Sequence, residues 1–187
     1  MMRIGIAGCA GTGKSILAQH LATELGLPFL PSKEITGDIL RRDGYDYASG
    51  QQVEKFLATS ERQQEILRRT AEQQSAEEFV TDRTAVDLAA YAILEMRGPL
   101  NVKKYLEECE GLAGRYTHLL FCTWEDREIL DNHKRTLDPW YQFAVHCVEL
   151  EVMERFGAPR LVLRESEVDD RVEEAKAYVD LVPARIL

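Results

Sequence analysis

Gly8-Cys9-Ala10-Gly11-Thr12-Gly13-Lys14-Ser15 decides how this chain is read. The stretch fits G-x-x-x-x-G-K-[ST], a phosphate-binding loop. Gly8 and Gly13 admit backbone angles that a Cβ forbids, and Gly11 adds slack between them. Successive backbone N–H groups can then turn inward and cradle an anionic phosphate. Lys14 adds a point charge that reaches the β and γ phosphates of a nucleoside triphosphate, and Ser15 offers a hydroxyl to Mg²⁺. Cys9 and Ala10 occupy variable positions of the motif, and Cys9 is assigned no chemistry.

The flanks supply the context that the motif requires. Met2 to Ala7 reads as a short strand, and Ser15 to Leu25 as a helix with Ile16, Leu17, His20 and Leu21 on one face. A helix start directly after the loop favours bound phosphate through its dipole.

The length of 187 residues suggests one domain, and 45% hydrophobic with 29% charged residues is normal for a chain that buries a core. A net charge of −9 argues against an extended grip on nucleic acid, which normally needs a basic face. No apolar run is long enough to span a membrane, and the chain enters the first strand without a signal-peptide pattern. A cytoplasmic setting is expected. Cys9, Cys109, Cys122 and Cys147 form no C-x-x-C pair and read as small buried hydrophobes. His20, His118, His133 and His146 lack metal-ligand spacing.

Beyond the first helix, Leu27 to Pro31 is a short apolar run bounded by prolines, which places a second strand near a sheet edge. Ser32 is positioned to cap a helix beginning Lys33-Glu34. A carboxylate just past a strand end sits where open α/β sheets bind ligands, so Glu34 is a candidate base. Arg41 and Arg42 are candidates for a substrate phosphate. Gln51 to Gln74 reads as one long helix whose apolar stripe includes Val53, Phe56, Leu57, Ile66 and Leu67.

Phe79-Val80-Thr81 is a strand-like run ending in Asp82, and a carboxylate there can hold Mg²⁺ beside the phosphate loop. Arg83 follows, able to span donor and acceptor, and Thr84 begins a helix with Asp87 in its first turn. Thr117 to Cys122 is a buried strand. Residues 124–138 are rich in charge and read as a lid, in which Arg127 or Arg135 can balance charge on a transferring phosphoryl group. Asp138-Pro139 starts a helix through Phe156, with Ala144, Cys147, Val148 and Met153 available to the core. Arg160 to Leu163 is a last strand. Val168, Val172, Ala175, Val179 and Val182 mark an amphipathic closing helix.

This order of elements, with Thr81-Asp82-Arg83-Thr84-Ala85-Val86-Asp87-Leu88, resembles the small P-loop kinases of the nucleoside and nucleotide kinase group. The D-R-x-x-x-D pattern is similar to the AAA-type small-kinase branch, which includes nicotinamide riboside kinase domains and kinase-like phage proteins. The resemblance implies an α/β three-layer P-loop NTPase fold, with a parallel sheet of about five strands flanked by helices, over a single domain. By likeness to deoxynucleoside kinases, Glu34 stands where the base toward the substrate hydroxyl sits, Asp82 where the acid serving Mg²⁺ sits, and Arg83 where an arginine contacts phosphate and the acceptor. The Glu-Pro-x-x-x-Trp motif of those enzymes does not follow the second strand here.

The expected activity is therefore Mg-ATP-dependent transfer of a phosphoryl group to a nucleoside, nucleotide or related hydroxyl. Lys14, Glu34, Asp82, Arg83 and Arg135 are the candidate catalytic residues. Gly8 to Ser15 hold the nucleotide, Ser15 and Asp82 the metal, and Glu34, Arg41, Asp87 and Arg127 the acceptor. Glu34 favours a nucleoside acceptor; Arg41 and Arg42 favour a nucleotide. A nucleotide-binding ATPase or switch, and a kinase acting on a hydroxymethylated base in DNA, remain alternatives. Many kinases of this kind are homodimers.

Overall fold

The computed structural model describes residues 1–49, 51–96, 102–125, 138–157, 160–165 and 167–182. Its elements are β1 (Arg3–Ala7), α1 (Lys14–Leu25), β2 (Phe29–Leu30), α2 (Lys33–Arg42), α3 (Val53–Leu57), α4 (Ser60–Gln73), β3 (Phe79–Thr81), α5 (Ala85–Glu95), α6 (Val102–Ala113), β4 (His118–Cys122), α7 (Pro139–Phe156), β5 (Arg160–Leu163) and α8 (Val168–Leu181).

The strands form one parallel sheet in the order β2-β3-β1-β4-β5. Parallel neighbours need crossovers, and helices supply them on both faces. The two faces have separate cores. On one, Leu17, Leu21 and Ala18 of α1 meet Val172, Ala175 and Val179 of α8 over Ile4, Ile6 and Leu120. On the other, α2 to α7 pack over Phe79, Leu119 and Phe121. This is the expected three-layer arrangement. β1 is the middle strand, so its carboxyl end opens into the crevice where strand order reverses.

Local chemistry sets the element ends. β2 lies at the sheet edge, as its flanking prolines suggest. Asp138 caps α7 by accepting from the Trp140 N–H at 2.9 Å, with Pro139 in the first turn. Gly26 and Gly157 end α1 and α7 in the left-handed conformation.

Four expectations change. The helix read over Gln51 to Gln74 is two helices, because Thr59 leaves the helical conformation and its hydroxyl caps α4 by accepting from the Arg62 N–H. α1 begins at Lys14 and buries Leu17, Ala18, Leu21 and Ala22, leaving Ile16 and His20 exposed. Cys147 is exposed, whereas Cys9, Cys109 and Cys122 are buried as expected. α7 turns inward not on Ala144 and Cys147 but on Gln142, Val145, Glu149, Val152 and Met153.

Candidate active site

Gly8, Gly11 and Gly13 adopt φ of 140°, 89° and 82°, angles that L side chains rarely take. Gly8 has a second constraint: a Cβ there would stand 2.6 Å from the Cys122 carbonyl oxygen at the end of β4. Gly8→Ala is therefore expected to cost about 1–3 kcal/mol from backbone strain alone, with the steric overlap in addition. A urea denaturation midpoint equal to that of the wild type would contradict this close packing.

The loop is held from three directions. Lys14 Nζ donates to the Gly8 carbonyl and, at 2.7 Å, to the Cys9 carbonyl. The Ala10 N–H donates to Gln142 Oε1 of α7 at 3.0 Å. Arg171 of α8, nearly fully buried, donates to the Thr12 carbonyl at 2.7 Å, to Glu125 Oε1 at 2.9 Å and to the Glu165 carbonyl at 2.5 Å. Burial, followed by the charge of Glu149, pushes the Cys9 thiol up to about 12, which keeps it from acting as a thiolate.

Asp82, 5% exposed, joins the loop to the end of β3. Its Oδ2 accepts from Ser15 Oγ at 2.5 Å and its Oδ1 from the Ser32 N–H at 2.8 Å. Ser32 thus meets the site through its backbone; its side chain makes no capping hydrogen bond to α2. A buried polar network fixes the turn after Asp82. Gln74 Nε2 donates to the Arg83 carbonyl at 2.9 Å, and Tyr116 Oη donates to Gln74 Oε1 at 2.6 Å while accepting from the Ala85 N–H at 3.2 Å. Thr84 and Asp87 then form a reciprocal capping box at the start of α5. The Arg83 guanidinium lies 5.8 Å from the centroid of the Tyr91 ring.

A cavity of about 500 Å³ opens from the loop residues Ala10 to Ser15 and runs past Asp82, Arg83 and Asp87. Its far walls are apolar, from Leu40, Val53, Leu57, Ile66 and Leu88, and carry Glu54, Gln63, Tyr91 and Glu95. α2 turns Lys33, Thr36, Gly37 and Leu40 into it. That i, i+3, i+4, i+7 face leaves out Glu34 and Arg41. Glu34 is exposed outside the cavity, and Arg41 is engaged by Asp38 on the surface. Arg42 pairs with Asp43 and Glu65. The structure therefore brings Lys14, Ser15, Asp82, Arg83 and Asp87 together and leaves Glu34 and Arg41 apart from them. Arg127 and Arg135 fall outside the described residues, as does the 124–138 stretch apart from residues 124, 125 and 138.

The residues that sequence reasoning missed are Glu54, Tyr91 and Glu95 on the wall, and Gln142, Glu149 and Arg171 behind the loop. Tyr91 and Glu95 continue the α5 face of Asp87 at i+4 and i+8, a spacing that points to them once Asp87 is placed. Gln142 and Glu149 lie two turns apart on α7, but nothing local distinguishes them from surface positions.

Among the described residues no group of three or more His, Cys, Asp and Glu is arranged to hold a metal ion. Ser15 Oγ and Asp82 nonetheless form a pair of hard oxygen donors beside the loop. Mg²⁺ that arrives with a nucleotide keeps several waters and needs only one or two such protein oxygens, so the pair fits it. Among the described residues no helix is long and apolar enough to cross a membrane.

A parallel sheet opening through a glycine loop into a helix N-terminus, with an Asp-Arg pair at the adjacent strand end, defines the P-loop NTPase class of α/β proteins. Within that class the chain belongs to the AAA domain family, which matches residues 3–171. Its fold is that of small P-loop kinases. The chain is similar to the deoxyadenosine kinase from M. mycoides with bound dCTP, at 15% identity and a TM-score of 0.69, over 97% of this chain and 100% of that one. It is similar to the NadR protein in complex with NR, at 14% identity and a TM-score of 0.69, over 100% of this chain and 52% of that one. It is also similar to shikimate kinase from Acinetobacter baumannii, at 13% identity and a TM-score of 0.56, over 99% and 97%. No functionally curated protein matches the chain significantly.

Proposed function

We propose that this chain is a kinase that moves the γ-phosphoryl group of Mg-ATP onto a hydroxyl of a nucleoside-sized acceptor carrying no phosphate of its own. The observation that carries this is the continuity of the cavity. One space of about 500 Å³ runs from the phosphate loop to apolar walls set with Glu54, Asp87 and Glu95. An acceptor needs such a pocket, whereas hydrolysis needs room only for water, which weighs against the switch alternative. The arginines suited to an anionic acceptor, Arg41 and Arg42, face away and are paired. Arg68 and Arg69 likewise pair with Glu72 and Asp38, so among the described residues they offer no open basic groove to a DNA acceptor.

In this mechanism the loop amides and Lys14 hold the β and γ phosphates. Ser15 and Asp82 hold Mg²⁺, which when bound neutralises charge on the phosphate oxygens. Arg83 reaches the transferring group from the far side. Asp87, on the cavity wall, orients the acceptor hydroxyl and receives its proton, a task placed there because Glu34 lies outside. Residues 1–187 act as one domain; Arg127 and Arg135 lie outside the described residues, and no step is placed on them. Positioning and electrostatics supply most of the rate.

The test is a panel of nucleosides, nicotinamide riboside, shikimate, nucleoside monophosphates and hydroxymethylated DNA, each incubated with Mg-ATP while ADP and product mass are followed. A nucleoside-sized, phosphate-free acceptor is expected to gain one phosphate; ADP release indifferent to every acceptor overturns the reading. In the same assay Asp87→Asn is expected to lower turnover about 10²-fold, in line with loss of one acid–base group. Glu34→Gln showing that loss, with Asp87→Asn unaffected, returns the base to Glu34.

A further inference from the structure

Glu149 lies on α7 with 0% of its surface exposed, and among the described residues its carboxyl oxygens meet no donor: the side chain within hydrogen-bonding reach is the carboxyl of Asp87, itself an acceptor when ionised. Buried polar groups are nearly always satisfied, and an unsatisfied carboxyl is costly enough that its presence calls for a reason. It lies two helical turns from Gln142, which binds the phosphate loop, so this stripe of α7 presents two polar groups toward the site.

Its charged surroundings come from every side of the site: Asp87 and Arg83 from the β3–α5 segment and Lys14 from the loop. Asp87 spends Oδ2 on the Thr84 N–H and hydroxyl, each at 2.7 Å. Its Oδ1 takes no part in those two bonds, and the residue lines the cavity. Burial first, then the charge of Asp87, pushes Glu149 well above the usual carboxylate range, against the opposing pull of Lys14 and Arg83. A carboxyl that keeps its proton is a hydrogen-bond donor, and the Asp87 side chain is its hydrogen-bonding neighbour.

We propose that Glu149 is a positioning residue that acts through Asp87: from behind the cavity wall its carboxyl O–H donates to the Asp87 carboxylate and fixes the oxygen that Asp87 turns toward the acceptor. No bond to substrate is made by Glu149 itself. The inference rests on the kinase reading for its catalytic readout, but the contact itself is measurable without it.

The arrangement carries a cost with a defined sign. In the folded chain Glu149 holds its proton at pH values where the unfolded chain has lost it. Stability is therefore lost as pH rises above the ordinary glutamate value of 4.5 toward the raised folded value. Glu149→Leu removes this cost, so its thermal midpoint is expected to exceed that of the wild type by a margin that widens from pH 5 to pH 8.

The same variant separates positioning from packing. With the acceptor found in the panel, Glu149→Leu is expected to raise the acceptor KM about ten-fold, the equivalent of one hydrogen bond. It should also shift the pH profile of acceptor kcat/KM while leaving the nucleotide KM within about two-fold. Glu149→Gln, whose amide still donates, is expected to recover most of the loss. Unchanged acceptor KM and pH profile in Glu149→Leu overturn the proposal, as does Glu149→Gln behaving no better than Glu149→Leu. Infrared difference spectra supply the independent readout. A protonated-carboxyl band at neutral pH is expected in the wild type, absent in Glu149→Gln and displaced in Asp87→Asn. Absence of that band in the wild type overturns the pairing even if the kinase assay succeeds, and a wild type inactive toward every acceptor overturns the kinase reading with the band still in place.

Discussion

Replacing Lys14 with alanine is expected to lower phosphoryl-transfer turnover on the order of 10²- to 10³-fold, the usual scale for removing one preorganised donor from a developing charge. In the structure the ammonium is held against the Gly8 and Cys9 carbonyls, inside the curve of the loop. It is the only side-chain cation among residues 8 to 15, so no neighbour in the loop replaces it. Triphosphate affinity should fall as well, by about ten-fold or more, because a charge-assisted hydrogen bond is lost. Lys14→Arg should recover little, since a planar fork does not occupy the space of a compact ammonium. The check is kcat together with nucleotide Kd from titration of a fluorescent triphosphate analogue. Turnover within about three-fold of the wild type in Lys14→Ala would remove this side chain from the chemistry.

The second large effect belongs to Asp82. Its two oxygens accept from Ser15 Oγ and from the Ser32 backbone N–H. An asparagine offers one oxygen in place of two, so one of those donors loses its partner. Stability should fall by about 1–3 kcal/mol, the penalty for a buried group left unsatisfied. Turnover should fall further, by about 10² or more, because on the proposed mechanism the negative charge offered to Mg²⁺ is also gone. The discriminating measurement is the Mg²⁺ concentration for half-maximal activity, which should rise in Asp82→Asn. If that concentration stays at the wild-type value while only the unfolding midpoint drops, Asp82 is a structural tie and no metal group.

Both residues were legible in the sequence, for the same reason. The phosphate loop and the Asp-Arg-Thr turn are short stretches whose chemistry depends on residues adjacent in the chain. The strands were legible too, since buried parallel strands are continuous apolar runs. Glu34 shows where such reading ends. Position along the chain places it after β2, but successive residues of a helix point about 100° apart. The entry angle of α2 gives the cavity to Lys33 and Thr36 instead. The break at Thr59 had a visible signal, a threonine ahead of Ser60-Glu61-Arg62, but the stripe through Ile66 and Leu67 fitted one long helix equally well. Glu149 was not legible at all. A glutamate among the polar residues of α7 is ordinarily a surface position, and only the packing of α7 against α5 and the loop buries it.

Arg171 ties the phosphate loop to α8, and its bond to the Thr12 carbonyl spans 159 residues. During synthesis the eight residues of the motif emerge well before Arg171, with every sequence feature of a phosphate cradle. The guanidinium that seats Thr12, and that also holds Glu125 beyond β4, emerges 159 residues after Thr12. A growing chain therefore displays the motif long before its shape is complete. The finished cradle draws on residues far apart in the chain, assembled when α8 docks beside α1 and closes the far face of the sheet.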